Sequence, residues 1–164
     1  MKTRKQIIQQ LEEYFIIQEL VGPEVYTRHK EDSWQFLATE ALSVLLSIRE
    51  GLCLPITINT WHKGGSATQR GHRANIQTIT YDKTVAEQLY LSGHVLGCAF
   101  DLTVSGMDAE DVRTWMVENE DLFEYKVRLE WKMRNSDGEY EPISWVHFDT
   151  KYLEKNPKVY RFYV

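Results

Sequence analysis

What the chain has little of narrows its class first. Two cysteines, Cys53 and Cys98, are too few for a disulfide framework, and no Cys-x-x-Cys pair marks a structural metal site. Reduced thiols are the plain reading. No apolar run approaches the roughly 20 residues that span a bilayer, so no membrane insertion is expected. Positive charge is outnumbered: 19 Lys and Arg against 24 Asp and Glu give a net charge of −5. A nucleic-acid partner needs clustered cations and a positive field, and none is expected. The chain opens Met-Lys-Thr-Arg-Lys, but Ile and Leu then alternate with Gln and Glu, where a signal peptide has a continuous apolar core. Synthesis in a cytoplasm without a signal peptide is the expectation.

Apolar material is sufficient for a core. Hydrophobic residues make up 43% and charged residues 26%, with five Trp and nine Tyr, which excludes a disordered chain. A length of 164 residues suits one domain over 1–164, with an N-terminal helical part over 1–50 and a second part over 51–150.

Periodicity supplies the elements. Residues 3–20 read as an amphipathic helix, with Thr3 and Gln6 as a capping box, Ile7, Leu11, Tyr14 and Phe15 on one face, and Gly22-Pro23 as the stop. Residues 32–50 read as a second helix carrying Trp34, Leu37, Ala41, Leu45 and Ile48, with Gly51 after its end. Ile56 and Ile58 alternate as in a strand that leads into the polar, Gly-containing stretch 63–75. Residues 92–104 read as a turn and a strand. Asp108 caps a third helix with Val112, Trp115 and Met116 on one side. Residues 124–150 read as a β-hairpin turning near Asn135-Ser136-Asp137-Gly138. Helices before and between strands predict an α+β layering, with a small antiparallel sheet and helices packed behind it.

The chemistry concentrates in two segments, Ser92-Gly93-His94-Val95-Leu96-Gly97-Cys98-Ala99-Phe100-Asp101 and Ser144-Trp145-Val146-His147-Phe148-Asp149. Neutral imidazole and carboxylate are ordinary zinc ligands, and a catalytic site uses three protein ligands with a fourth position left open. His94, Asp101 and His147 make that count. A turn broken at Gly97 brings a loop His and a strand Asp together, and alternation aims Asp101 away from Phe100 and Leu102. By spacing alone, the competing reading of each His is a hydrogen-bonded structural residue.

Ser-x-His-x-x-Gly-x-Ala-x-Asp over residues 92–101 resembles the signature of the zinc D-Ala-D-Ala carboxypeptidases and L-alanyl-D-glutamate endopeptidases, a group sharing its fold with lysostaphin and the hedgehog signalling domain. Trp145, His147 and Asp149 resemble the Trp-x-His-x-Asp strand of the phage-associated branch. So do Pro55 to Asn59, Trp61, Gly64-Gly65 and Arg73, and the likeness covers roughly residues 50–150. It implies zinc on His94, Asp101 and His147, and peptidoglycan stem peptide as substrate. It implies action at the bacterial cell wall as a phage or prophage product, as carboxypeptidase or as endopeptidase and endolysin.

A zinc peptidase needs a carboxylate that takes a proton from water and passes it to the leaving amine. Many members of the family place it three residues before the last His, where this chain has Ser144. A hairpin centred near residues 137–138 puts Glu130 opposite residue 145, which shares a face with His147. Glu130 is therefore the expected base, and Glu141 is held in reserve. Arg73 is expected to bind a substrate carboxylate or stabilise an oxyanion, with Arg70 as its neighbour if the loop register differs. Ser92 is expected to hydrogen-bond substrate.

His62 and His72 are expected to line the cleft, His29 to lie at the surface and Cys98 to be a small core residue. Asp149 is expected either to steady an imidazole tautomer or to form a salt bridge. The rival class is a catalytically inactive zinc-containing binding or phage structural domain of the same fold, which Ser144 leaves open. No feature of the pattern specifies an oligomeric state.

Overall fold

The computed structural model describes residues 1–151 and 157–163, and its architecture is α+β. The first helix, α1 (Arg4–Leu11), starts at Thr3, whose hydroxyl accepts from the Gln6 N–H while the Gln6 side chain returns to the Thr3 backbone. The expected helix over 3–20 does not run through. Tyr14-Phe15-Ile16-Ile17 concentrates aromatic and β-branched residues that lose side-chain freedom in a helix. The chain turns there, burying Phe15 and Ile17, and restarts as α2 (Ile17–Leu20) and α3 (Pro23–His29). Pro23 occupies the first turn of α3, where its missing N–H costs nothing.

The second expected helix is also divided. A 3-10 segment covers Lys30–Phe36, Leu37 is extended, and α4 (Thr39–Leu52) follows. Trp34, Leu37, Ala41, Leu45 and Ile48 are all buried as the pattern required. Gly51 lies inside α4, and Cys53, at φ 54°, is the left-handed residue that ends it. A Cβ on Gly51 would come within 2.6 Å of the Trp115 ring, so the glycine lets Trp115 pack closely on α4.

A short β1 (Ile56–Thr57) enters the sheet, and the long segment after it contains α5 (Thr78–Val85), which periodicity did not disclose. Next come β2 (Ala99–Val104), α6 (Ala109–Glu118), β3 (Val127–Arg134), β4 (Tyr140–Asp149) and β5 (Val159–Tyr163). Strand order is β1-β2-β4-β3-β5. The sheet is mixed, which corrects the expectation of an antiparallel one: β5 lies parallel to β3 beyond the hairpin.

Alternation divides the sheet into two faces. One carries Phe100, Phe148 and Leu129 side by side across β2, β4 and β3, with Leu102 and Val146 next to them. These join the same buried cluster as Leu42, Leu45 and Ile48 of α4 and Val112 and Met116 of α6. The other face carries the polar rows. Among the described residues, no helix is long and apolar enough to cross a membrane.

Candidate metal centre

Two rows of polar side chains cross the sheet on the face opposite the core. Asp101, His147, Glu130 and Phe162 are successive cross-strand partners on β2, β4, β3 and β5, and Ala99, Asp149, Arg128 and Tyr160 form the next row. His94 joins the first row from the turn before β2. That turn needs Gly97, whose φ is +70° and whose added Cβ would lie 1.9 Å from the Phe36 carbonyl oxygen. The Gly97 carbonyl in turn accepts from the Ala38 N–H at 2.8 Å, tying the turn to the segment before α4.

The three expected ligands converge. His147 Nδ1 is 2.6 Å from Asp101 Oδ1, His94 Nε2 is 3.2 Å from His147 Nδ1, and His94 Nε2 is 3.3 Å from Asp101 Oδ1. All three residues are buried, and the donor set could hold a metal ion. A tetrahedral ion with bonds of about 2.0–2.1 Å keeps its ligands roughly 3.3 Å apart, so the spacing already fits apart from the short His147–Asp101 contact.

The surroundings fix which atoms face inward. His94 Nδ1–H donates to the Gly71 carbonyl at 2.9 Å, which leaves the Nε2 lone pair for the centre. Gly71 is held close, since a Cβ there would lie 2.0 Å from the Leu20 carbonyl oxygen. On the far side of His147, Nε2 lies 3.7 Å from Asp149 Oδ2, and Asp149 is gripped by Arg128 through Nε at 2.6 Å and Nη2 at 2.5 Å. The salt bridge expected of Asp149 is present, to Arg128, while His147 lies just beyond hydrogen-bond distance. Arg128 was not expected as the partner of Asp149, because that contact depends on cross-strand pairing.

Charge follows geometry. Burial disfavours a charged His147, but the carboxylates of Asp101 and Asp149 outweigh it and raise its pKa to about 9. Burial opposes ionisation of Asp101 too, yet hydrogen bonds from His147 and His94 hold its carboxyl far below the usual carboxylate range. Burial holds His94 below the usual imidazole value, with the nearby Arg73 and His147 adding to the effect. A cation held by these donors would compete with a proton for His147.

The remaining expected residues are placed as follows. Glu130 lies directly opposite His147, not opposite residue 145, because the β3–β4 register shifts between Glu130 and Lys132. Burial raises the Glu130 carboxyl above its usual value, with Asp101 and Asp149 contributing in the same direction. Glu141 pairs with Met133 toward the turn of the hairpin, is exposed, and accepts from Asn135 Nδ2 at 2.8 Å. It is not brought to the cluster.

Arg73 is brought there. Its Nη2 reaches Asp101 Oδ2 at 3.3 Å, and its Nε donates to the Gln69 carbonyl at 2.6 Å. The backbone of Arg70 joins Asn59 and Asp101, its carbonyl accepting from the Asp101 N–H at 2.8 Å. The Ser92 hydroxyl accepts from the Val95 N–H at 3.3 Å and so shapes the His94 turn.

No family model, no curated protein and no solved structure matches this chain.

A cleft of about 670 Å³ opens beside Arg73, lined also by Arg28, His29, Phe36, His72 and Val95. His72 lines it as expected, stacked on Phe36 at 5.7 Å between ring centres with its Nδ1 buried and unpartnered. His29 is half-buried against the edge of Phe36 at 4.7 Å, deeper than the surface position expected. His62 meets the Trp61 edge and stands outside both the cleft lining and the ligand cluster. Cys98 is a half-buried free thiol whose pKa is pushed up by burial.

Proposed function

We propose that this chain is a zinc-dependent hydrolase of peptidoglycan stem peptides, with Glu130 as general base. The observation that carries the reading is the single cross-strand row Asp101–His147–Glu130, closed by His94 from the adjoining turn. Two imidazoles and one carboxylate are the donor set of a catalytic zinc site, which keeps one position open. The Glu130 carboxylate in the same row is half-buried, and burial raises its pKa, the direction in which a general base is tuned.

When bound, zinc supplies Lewis acidity toward a carbonyl oxygen and toward water. The chain's own residues do the rest. The Gly71 carbonyl orients His94, and His147 is set by its strand position with the Asp149 carboxylate behind it. Glu130 accepts a proton from water at the row and returns it to the leaving amine. Arg73, fixed through Gln69 and Asp101, lines the cleft, and its guanidinium serves a substrate carboxylate or a developing oxyanion. The resemblance of residues 92–101 and 145–149 to cell-wall peptidases selects the substrate class and the setting of a phage or prophage product acting at the bacterial wall.

The test is zinc content of the purified protein, together with release of D-Ala or of new amines from purified peptidoglycan. Near-stoichiometric zinc with turnover that Glu130→Gln abolishes is the expected result. Absence of zinc from protein purified without chelators would overturn the reading, and zinc without turnover on varied stem peptides would replace it with a binding role.

A further inference from the structure

Glu130 meets His147 only because the β3–β4 ladder slips, and we propose that Arg113 is the positioning residue that holds the slip. Near its turn the hairpin pairs Arg134 with Tyr140, Met133 with Glu141 and Lys132 with Pro142. Carried on unbroken, that register would set Ser144 opposite Glu130, away from the ligand row. Instead Glu130 faces His147, and Trp131 alone confronts the four residues 143–146 of β4. The ladder between β3 and β5 also shifts at Trp131.

Such a bulge removes backbone carbonyls from the ladder and buries them, where they need other donors. Arg113 supplies these donors. From α6 its Nη1 donates to the Trp145 carbonyl at 2.8 Å and its Nη2 to the Ile143 carbonyl at 3.0 Å. The side chain is 1% exposed, on a helix side otherwise occupied by Val112 and Met116. Its third edge donates through Nε to Glu110 Oε2 at 3.1 Å. The other oxygen of Glu110 accepts from Arg161 on β5, and Arg161 Nη2 reaches Thr114 Oγ1 at 3.1 Å. A planar fork fits two carbonyls and a carboxylate at once, and a lysine ammonium does not reproduce that geometry.

The ligand row itself does not depend on this device. Asp101 pairs with His147 in an unshifted stretch of the β2–β4 ladder. Arg113 therefore acts on the partner of the metal centre and leaves the centre alone. Its catalytic consequence rests on the hydrolase reading, whereas its control of register does not.

The experiment compares wild type, Arg113→Met and Glu110→Gln. The backbone NOE between Glu130 and His147 reports register, the visible spectrum of added Co²⁺ reports the ligand cluster, and kcat and KM on stem peptide report catalysis. Expected for Arg113→Met are a folded protein with the wild-type Co²⁺ spectrum, loss of the NOE, and a fall in kcat of about a hundredfold at nearly unchanged KM, the penalty typical of a misplaced catalytic group. A retained NOE in folded Arg113→Met overturns the proposal, and a lost NOE with unchanged kcat overturns the positioning role. If Arg113→Met does not fold, Glu110→Gln decides: a weakened NOE with a smaller fall in kcat supports the proposal, and wild-type values of both overturn it. A wild type with no turnover, alongside an NOE lost in Arg113→Met, removes the hydrolase reading and leaves the control of register standing.

Discussion

The two ends of β4 show how differently one strand can be held. From Val146 to Asp149 it is hydrogen-bonded toward β2, and from His147 to Asp149 toward β3 as well, with every one of these side chains buried. From Tyr140 to Pro142 it pairs with β3 alone, and all three residues are exposed. Between the two ends lies the bulge clamped by Arg113. The double-sided end fixes which face His147 and Asp101 occupy, since a one-residue slip there would turn His147 into the core. The single-sided end lies at the surface, and the bulge between the two ends sets the position of Glu130.

The comparison breaks most completely at a ligand. His147→Ala should abolish stoichiometric zinc binding, read by elemental analysis, and should remove the drop in melting temperature that chelation causes in wild type, because the ligands tie together distant segments. Tyr140→Ala, at the other end of the same strand, should change neither.

Glu130→Gln should retain zinc and lower kcat by about 10²–10⁴, the range for removal of a general base. Glu141→Gln should leave kcat within about twofold, because its side chain stays with Asn135 near the turn. Equal losses in the two variants would remove the assignment of Glu130.

Phe148→Ala, on the core face of the double-sided end, should cost about 3–5 kcal/mol in urea unfolding, as deletion of a fully buried aromatic does. Exposed Met133→Ala, on the strand paired with the other end, should stay within about 0.5 kcal/mol.

The smallest effect is a dependence on pH. Burial opposes ionisation of Asp149, but His147 and Arg128 depress its carboxyl from 3.8 to about 2. A depressed carboxyl contributes stability that is present above pH 3.8 and fades as pH falls through about 2. In zinc-free protein, the gap in urea midpoint between wild type and Asp149→Asn should therefore be wide at pH 5 and narrow near pH 2. A gap independent of pH would show that the Arg128 contact works through packing alone.

Much of the centre was legible in the residues. The alternation of Phe100, Asp101 and Leu102, and of Val146, His147 and Phe148, assigned ligand and core faces correctly because side chains on a strand have period two. The Thr3–Gln6 capping box and the turn at Gly97 are local chemistry and were legible for the same reason. The continuous helices expected over 3–20 and 32–50 were not found, because burial of Phe15, Ile17, Trp34 and Leu37 against distant elements outweighed the helical period. β5 stayed hidden because a parallel edge strand is defined by the strand it joins.

By itself the sequence determined the faces that Asp101 and His147 occupy and the hairpin that carries His147, since these follow from local periodicity and turn chemistry. Only the tertiary structure decided that Glu130 stands opposite His147, that Arg128 steadies Asp149 and that Arg113 lies buried beneath the bulge. Those are contacts between segments 17 (Glu130 to His147) to 32 residues apart, and their energies exist only once the chain has closed on itself.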